Sequence, residues 1–435
     1  MVPLGRKTLF QDLPRFLVAQ AGVAFAVGLI AIESGVYFGF LKGAVLPIEE
    51  SRADLWVASR DTQYFELALP MRYDSVVKAA GVTGVERAEA MLLETSAWRG
   101  PGHKLEYVRV IGFDPNGELW SPGPVPKGTL AKLYDTDTAI VDASKLPGLN
   151  IDGIGGSGKI GQREVRVVAL TRGTQPMVSA TFVYTSLPNA AAYLAPPPPS
   201  ARSIAVAKAE LAAMQAALNA ERAAFAGAPD LLAELPTPPP NLAPVPANAP
   251  TAAGLQPSDG ISYVLVKAKP GVDLESLKGR LTTELPDTIA YTKAEMVERT
   301  DSYWVKRTGI GFVLGLLAIV GLVVGGTVAG QILYTSVSEH IKEYGTLRAM
   351  GAPDSLFYAV VAEQAFLLAL LGFVPGIVFS LLIAQWAHEH RDILILVTPG
   401  SAAMTLAIIT AMCVGAGIFA VQRALRVDPA IVFKA

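Results

Sequence analysis

Residues 308–338 read TGIGFVLGLLAIVGLVVGGTVAGQILYTSVS, without one formal charge. A helix needs about 20 such residues to cross a bilayer, so this run is long enough with turns to spare. Three further stretches behave alike. Residues 16–41 carry only Glu33, residues 355–387 only Glu363, and residues 393–422 no charge at all. The chain as a whole agrees, with 435 residues, 51% of them hydrophobic and 17% charged. A soluble domain carries about 25% charged residues. The expected fold class is an α+β integral membrane protein. It has four transmembrane helices and one large mixed α/β domain between the first and second. The first stretch exceeds the about 7–15 apolar residues of a signal peptide and lacks an A-x-A-like site, so it reads as a retained anchor.

The expected layout is a cytoplasmic amphipathic N-terminus (1–15), a first span (16–41), a periplasmic domain (42–304) and a second span (308–336). A cytoplasmic loop (337–354), a third span (355–387), a fourth (393–422) and a cytoplasmic tail (423–435) complete it. Lysine and arginine orient it, because short cytoplasmic flanks are enriched in them. Arg6, Lys7 and Arg15 precede the first span; Arg423, Arg426 and Lys434 follow the last; Lys342 and Arg348 lie between the second and third. Only Arg391 lies between the third and fourth. Both termini are therefore expected in the cytoplasm, with the domain on the other side of the membrane. The formal net charge of -2 argues against a nucleic-acid partner, which calls for a basic surface. The single Cys413 excludes an intrachain disulfide.

Within the domain, 54–58, 90–98 and 107–112 read as strands, with a helix over 71–80. That is a small split sheet of porter type. Strands at 138–141, 165–170 and 182–184 form a second, β-rich unit inserted before the strand at 261–267 and the helix at 273–285. Residues 195–257 are rich in alanine and proline and read as a stiff extended spacer. Inside it, Ile204, Leu211, Leu218 and Phe225 recur every seven residues, with Met214 between them. That is either a one-sided coiled-coil seam or a helix folded back on its own domain.

Two motifs invite chemistry and fail its requirements. Gly153–Lys159 resembles a phosphate-binding loop, but Ile160 stands where Ser or Thr must hold magnesium, and Gly161 stops the helix such a loop needs. A turn followed by a strand is expected. His388-Glu389-His390 offers metal-ligand types, but no third ligand is evident, and a short interfacial turn is expected. Glu33 is an intramembrane carboxylate, for which a function is the default reading; a structural hydrogen bond is favoured over a proton or substrate role. The second span repeats small residues at G-x-x-x-G spacing: Gly311 with Gly315, Gly321 with Gly325, and Gly326 with Gly330. Such spacing lets helices pack closely, within the chain or against a second copy.

The loop after the second span reads EHIKEYGTLRAMGA over 339–352. Ile341, Tyr344 and Leu347 share one face of a short helix, flanked by Glu339, Lys342, Glu343 and Arg348. Gly351 and Pro353 end it. Such a helix rests either on a partner protein or in the headgroup layer.

This loop resembles the K-E-x-x-x-L-R-A-x-G-A signature of MacB/FtsX-type ABC transporter permeases. Residues 340–344 and 371–376 are most similar to the DevC permeases of heterocyst glycolipid exporters, and the tail at 424–430 resembles the family ending. One span, a large external domain and three more spans is the family layout; the Ala/Pro-rich stretch departs from it. The resemblance implies a permease subunit of a MacB-like exporter that pairs with a second copy and has no nucleotide site of its own. A separate cytoplasmic ABC ATPase would use ATP and magnesium. The domain would engage a periplasmic adaptor and an outer-membrane channel, and hydrolysis would drive export by mechanotransmission. Glu339, Ile341, Lys342, Glu343, Tyr344, Leu347, Arg348 and Gly351 would form the ATPase-coupling helix. The alternatives are an FtsX-like regulator of a cell-wall hydrolase and a lipoprotein-releasing permease.

Overall fold

The computed structural model describes residues 13–126, 128–177, 179–195, 208–209, 212–216, 255–307, 309–341, 346, 350–351, 353–391 and 393–425. Helix α1 (Leu13–Glu49) enters a domain built from β1 (Leu55–Ser59), β2 (Met71–Arg72), α2 (Asp74–Gly81), β3 (Val85–Arg99), β4 (Leu105–Phe113), β5 (Thr138–Asp142), β6 (Ser157–Ile160), β7 (Arg163–Thr171), β8 (Thr181–Ser186) and α3 (Leu187–Leu194). After the spacer come β9 (Gly260–Ile261), β10 (Tyr263–Ala268), α4 (Leu274–Glu284), β11 (Thr288–Thr292) and α5 (Lys293–Arg307). Helices α6 (Ile310–Glu339), α7 (Asp354–Arg391) and α8 (Pro399–Leu425) follow. Four of these helices, α1, α6, α7 and α8, are long and apolar enough to cross a membrane.

One strand organises the domain. The main sheet runs β11-β1-β10-β3-β4-β8-β5-β7-β6, and β3 pairs again with β6 through Trp98↔Ile160. The first half of β3 carries the split sheet, with Met91 opposite Tyr263. Its second half belongs to a ring of six strands that closes on itself, with Leu92 opposite Gly112. The β-rich unit is inserted in sequence, as expected, yet it shares this 15-residue strand with its host. The two units are thus joined in one continuous sheet.

Alternation along the strands decides which face each residue serves. Leu55, Val57, Ala90, Val264 and Val266 join the core under α2 and α4. Their neighbours Trp56, Ala58, Met91, Tyr263 and Leu265 join a second core with Phe65 and Met296 of α5. At the far end, Gly158 leaves room for the Trp98 indole, which any Cβ would strike.

Several element boundaries differ from those expected. Helix α1 continues past residue 41 to Glu49. At about 1.5 Å per residue its 37 residues span about 55 Å, far more than the about 30 Å bilayer core, so its end stands clear of the membrane. Residues 71–72 are a strand before the helix at 74–81, because β2 pairs with β9. The last span begins at Pro399, and 393–398 carries neither helix nor strand. Helix α5, not expected as a separate element, joins the sheet to α6; left-handed Gly309 (φ 60) sets the break between the two. His388–His390 fall in the last helical turn of α7 and not in a loop, with the His390 ring stacked on Trp386. Residues 153–156 form the expected turn, leading into β6, which holds Lys159.

Candidate functional site

The bundle is assembled around α1, and glycine decides where. On α6, a Cβ at Gly321 would press into Leu29 and one at Gly325 into Ala26. Gly326 and Gly330 turn to α8 instead, facing Met412 and Ala416. Gly311 lies against the Tyr37 ring, and nothing approaches Gly315. The structure thus places five of these six glycines on contacts within the chain. On α7, Gly372 packs on Val23 and Gly376 on the Ala24 carbonyl and Val27. Close backbone approach lets van der Waals contact hold helices that lipid gives no hydrophobic reason to associate.

A second glycine series escaped the sequence reading. Gly35, Gly39 and Gly43 on α1 repeat the same four-residue spacing. A Cβ at Gly35 would meet Ile395, and one at Gly39 would overlap the Leu394 carbonyl. Leu396 N–H donates to the Gly35 carbonyl at 2.9 Å. Gly43 faces Pro176 of the domain at 3.6 Å. One stripe of α1 therefore receives both the α7–α8 connection and a domain loop. The spacing was the available signal.

Helices α1 and α5 form the joint between domain and bundle. The Trp120 indole donates to the Pro47 carbonyl (2.8 Å) and the Lys293 ammonium to the Ser51 carbonyl (2.7 Å). Tyr64 stacks on Tyr303 with ring centres 3.9 Å apart, and Trp304 meets both Tyr64 and Phe40 edge-on. Arg299 donates twice to the Thr62 carbonyl, and Thr300 Oγ1 accepts from Phe65 N–H. Lys42 pairs with Glu49 beside Asp301. Burial pushes the Asp301 carboxyl up, and the neighbouring Glu49 charge adds to this while Lys42 opposes it. Higher in the domain, burial likewise raises Glu66, against the pull of Ser179 and Arg109.

Inside the bundle, Glu33 is 7% exposed, and neither carboxylate oxygen has a hydrogen-bond partner among the described residues. The structural hydrogen bond expected for it is not formed with any described residue. Glu33 lies one turn from both Leu29 and Tyr37, so helical spacing aims it at the α6 face between Gly321 and Gly311. That face presents apolar Leu314 and Ala318.

The loop between α6 and α7 is described in part. Glu339 ends α6, exposed, and His340 Nδ1 lies 2.9 Å from the Ser336 carbonyl. Ile341 is half-buried, Met350 N–H donates to the Thr346 carbonyl, and Gly351 is left-handed at φ 92. Lys342, Glu343, Tyr344, Leu347 and Arg348 lie outside the described residues, as do Ile204, Leu211, Leu218 and Phe225 of the seven-residue seam. Among the described residues, no three His, Cys, Asp or Glu side chains cluster closely enough to hold a metal ion.

Four helices long and apolar enough to cross a membrane, with an α/β domain between the first and second, give the layout of an integral membrane protein. Its residues 314–429 match the FtsX-like permease C-terminal family and form a domain of that kind. The match begins within α6 and takes in the loop and the last two spans. An uncharacterized ABC transporter permease of Mycobacterium bovis is 25% identical over 180 residues, 40% of this chain and 48% of the relative. The macrolide export ATP-binding/permease protein MacB of Burkholderia lata is 36% identical over 92 residues, 19% of this chain and 13% of that one. The chain thus spans about half the length, or less, of these curated relatives. The periplasmic region of MacB from Actinobacillus actinomycetemcomitans aligns over 60% of this chain and 96% of its own, with 9% identity and a TM-score of 0.30. The extracellular domain of YknZ, a noncanonic ABC-type transporter, gives 0.29 at 11% identity, over 55% of this chain and 99% of its own. Scores so low carry nothing from one protein to the other.

Proposed function

We propose that this chain is the permease subunit of a MacB-like ABC exporter. The FtsX-like domain over residues 314–429 carries the reading. The chain sits in a bacterial inner membrane with both termini cytoplasmic. A separate ABC ATPase binds ATP and magnesium and seats against the α6–α7 loop. Closing of that ATPase shifts α6, and the shift reaches the sheet through the α5–α1 joint. The joint suits this use because stacked rings and backbone-anchored cations make it stiff. A periplasmic adaptor and an outer-membrane channel receive the cargo.

A second copy lies against the face shared by α6 and α8. A groove of about 840 Å³ runs there past Gly326, Gly330 and Gly415. Gln331 is exposed on it among apolar side chains, where lipid offers its amide no partner.

Affinity purification of the tagged chain from its own membranes tests the assignment. An ABC ATPase and an adaptor should accompany it, and the isolated chain should bind no ATP. Recovery of a cell-wall hydrolase in place of the adaptor would sink the export reading.

A further inference from the structure

We propose that the membrane end of α5 is a glycerophospholipid headgroup site, with Lys306 and Arg307 holding the lipid phosphate. Most cations around this helix are already committed. Lys42 pairs with Glu49, Lys278 with Glu295, Lys293 donates to the Ser51 carbonyl and Arg299 to the Thr62 carbonyl. Lys306 and Arg307 are exposed and make no ion pair among the described residues. Both line a cleft of about 720 Å³ on one side of α5. Lys306 also lines one of about 740 Å³ on the other, and Ser302 borders both.

Depth selects the occupant. Lys306 stands four residues before Ile310, where the apolar span begins, or roughly 6 Å of helix. On the same helix Tyr303 and Trp304, both partly exposed, come just before these cations, and tyrosine and tryptophan favour the headgroup layer. Two cations with no ion pair among the described residues, set between these two rings and the apolar start of α6, meet the layer where lipid phosphates lie. Glu298, the exposed carboxylate that lines both clefts, is two helical turns higher, about 12 Å along α5, and the Glu49 and Asp301 carboxylates of the second cleft lie beside Lys42. A soluble phosphate shares the chemistry but lacks the acyl chains that would keep it at this depth. The last-turn cations also complement the helix dipole, but that effect is met without any cleft.

Native mass spectrometry of the full chain in detergent tests the site, with phosphatidylglycerol and a diacylglycerol of the same acyl chains as probes. The wild type should retain the phospholipid over the diacylglycerol. The Lys306→Gln, Arg307→Gln double variant should lose about tenfold or more of that retention, since each cation near an anionic lipid surface contributes severalfold. Lys159→Gln, at the far end of the sheet, should leave it unchanged. Equal retention by wild type and double variant, with unaltered thermal melts, would overturn the proposal. Displacement of the lipid by millimolar inorganic phosphate would also overturn it, by assigning the site to a soluble anion. The site rests on the membrane topology and not on the ATPase partnership, so either result leaves the coupling reading where it stands.

Discussion

The amide of Leu396 donates to the carbonyl of Gly35 at 2.9 Å, tying the connection between α7 and α8 across the first span. A carbonyl in a helix normally serves the residue four places on, so this one is shared with a chain segment more than 350 residues away. The contact exists because Gly35 and Gly39 present no side chain there.

Gly39→Ala should therefore destabilise the bundle by about 1–3 kcal/mol, the usual cost of forcing extra volume into a packed contact. Gly315→Ala, where a Cβ meets nothing within 4 Å, should be neutral or mildly stabilising. Thermal unfolding of both variants in detergent reads the difference. Equal melting temperatures would show that the connection yields freely.

The carboxyl of Glu33 is buried, with no hydrogen-bond partner among the described residues. Burying such a group without a hydrogen bond costs free energy. Glu33→Leu should raise the melting temperature of the isolated chain, while any functional role would show as lost export in the same variant. A lower melting temperature would reveal a partner for the carboxylate.

The joint should transmit force through Tyr303. Tyr303→Ala removes the ring stacked on Tyr64 and leaves α5 anchored by Arg299 and Thr300. A buried aromatic pair contributes about 0.5–1.5 kcal/mol beyond its buried area. The variant should insert and bind the ATPase normally but export less per ATP hydrolysed. Unchanged export per ATP would remove the stack from the transmission path.

Glu66 gives a pH dependence whose sign is fixed. Burial lifts its carboxyl above the ordinary 4.5, despite Ser179 and Arg109. The folded state then holds a proton that the unfolded chain releases sooner. Its stabilising contribution is full below pH 4.5 and fades as pH rises through the raised folded value. Glu66→Gln cannot titrate, so its melting temperature relative to wild type should improve from pH 4 toward neutrality. A difference that stays flat with pH, or runs the other way, contradicts this assignment.

The loop at 339–350 carries the functional reading. Tyr344→Ala with Glu343→Lys should reduce both ATPase capture and ATPase stimulation, since truncating an interface anchor costs about 2 kcal/mol or more. Neither residue lies in a span, so insertion should be normal. Full stimulation with normal capture would return the loop to a plain membrane connector.

The four spans were legible in the sequence because lipid imposes one rule, apolar for some 20 residues, that any such run displays without reference to its neighbours. The glycine repeats of the second span were legible for the same reason: spacing on a helix is local. So was the turn at 153–156 that leads into a strand and not a helix, since the glycines around it mark a chain reversal locally. Sequence could not say which helix each glycine would meet. Gly325 and Gly326 are adjacent in the chain yet face α1 and α8, and only the packed bundle separates them. Nor could it show that β3 serves two sheets, because strand pairing joins residues far apart in sequence, such as Trp98 and Ile160. The tertiary structure alone decided that α1 is the common support of the bundle, the α7–α8 connection and the domain. That role depends on long-range contacts of its Gly35, Gly39 and Gly43 stripe and on glycines of α6 and α7 that meet it elsewhere, and no local pattern records what lies on the other side of a glycine.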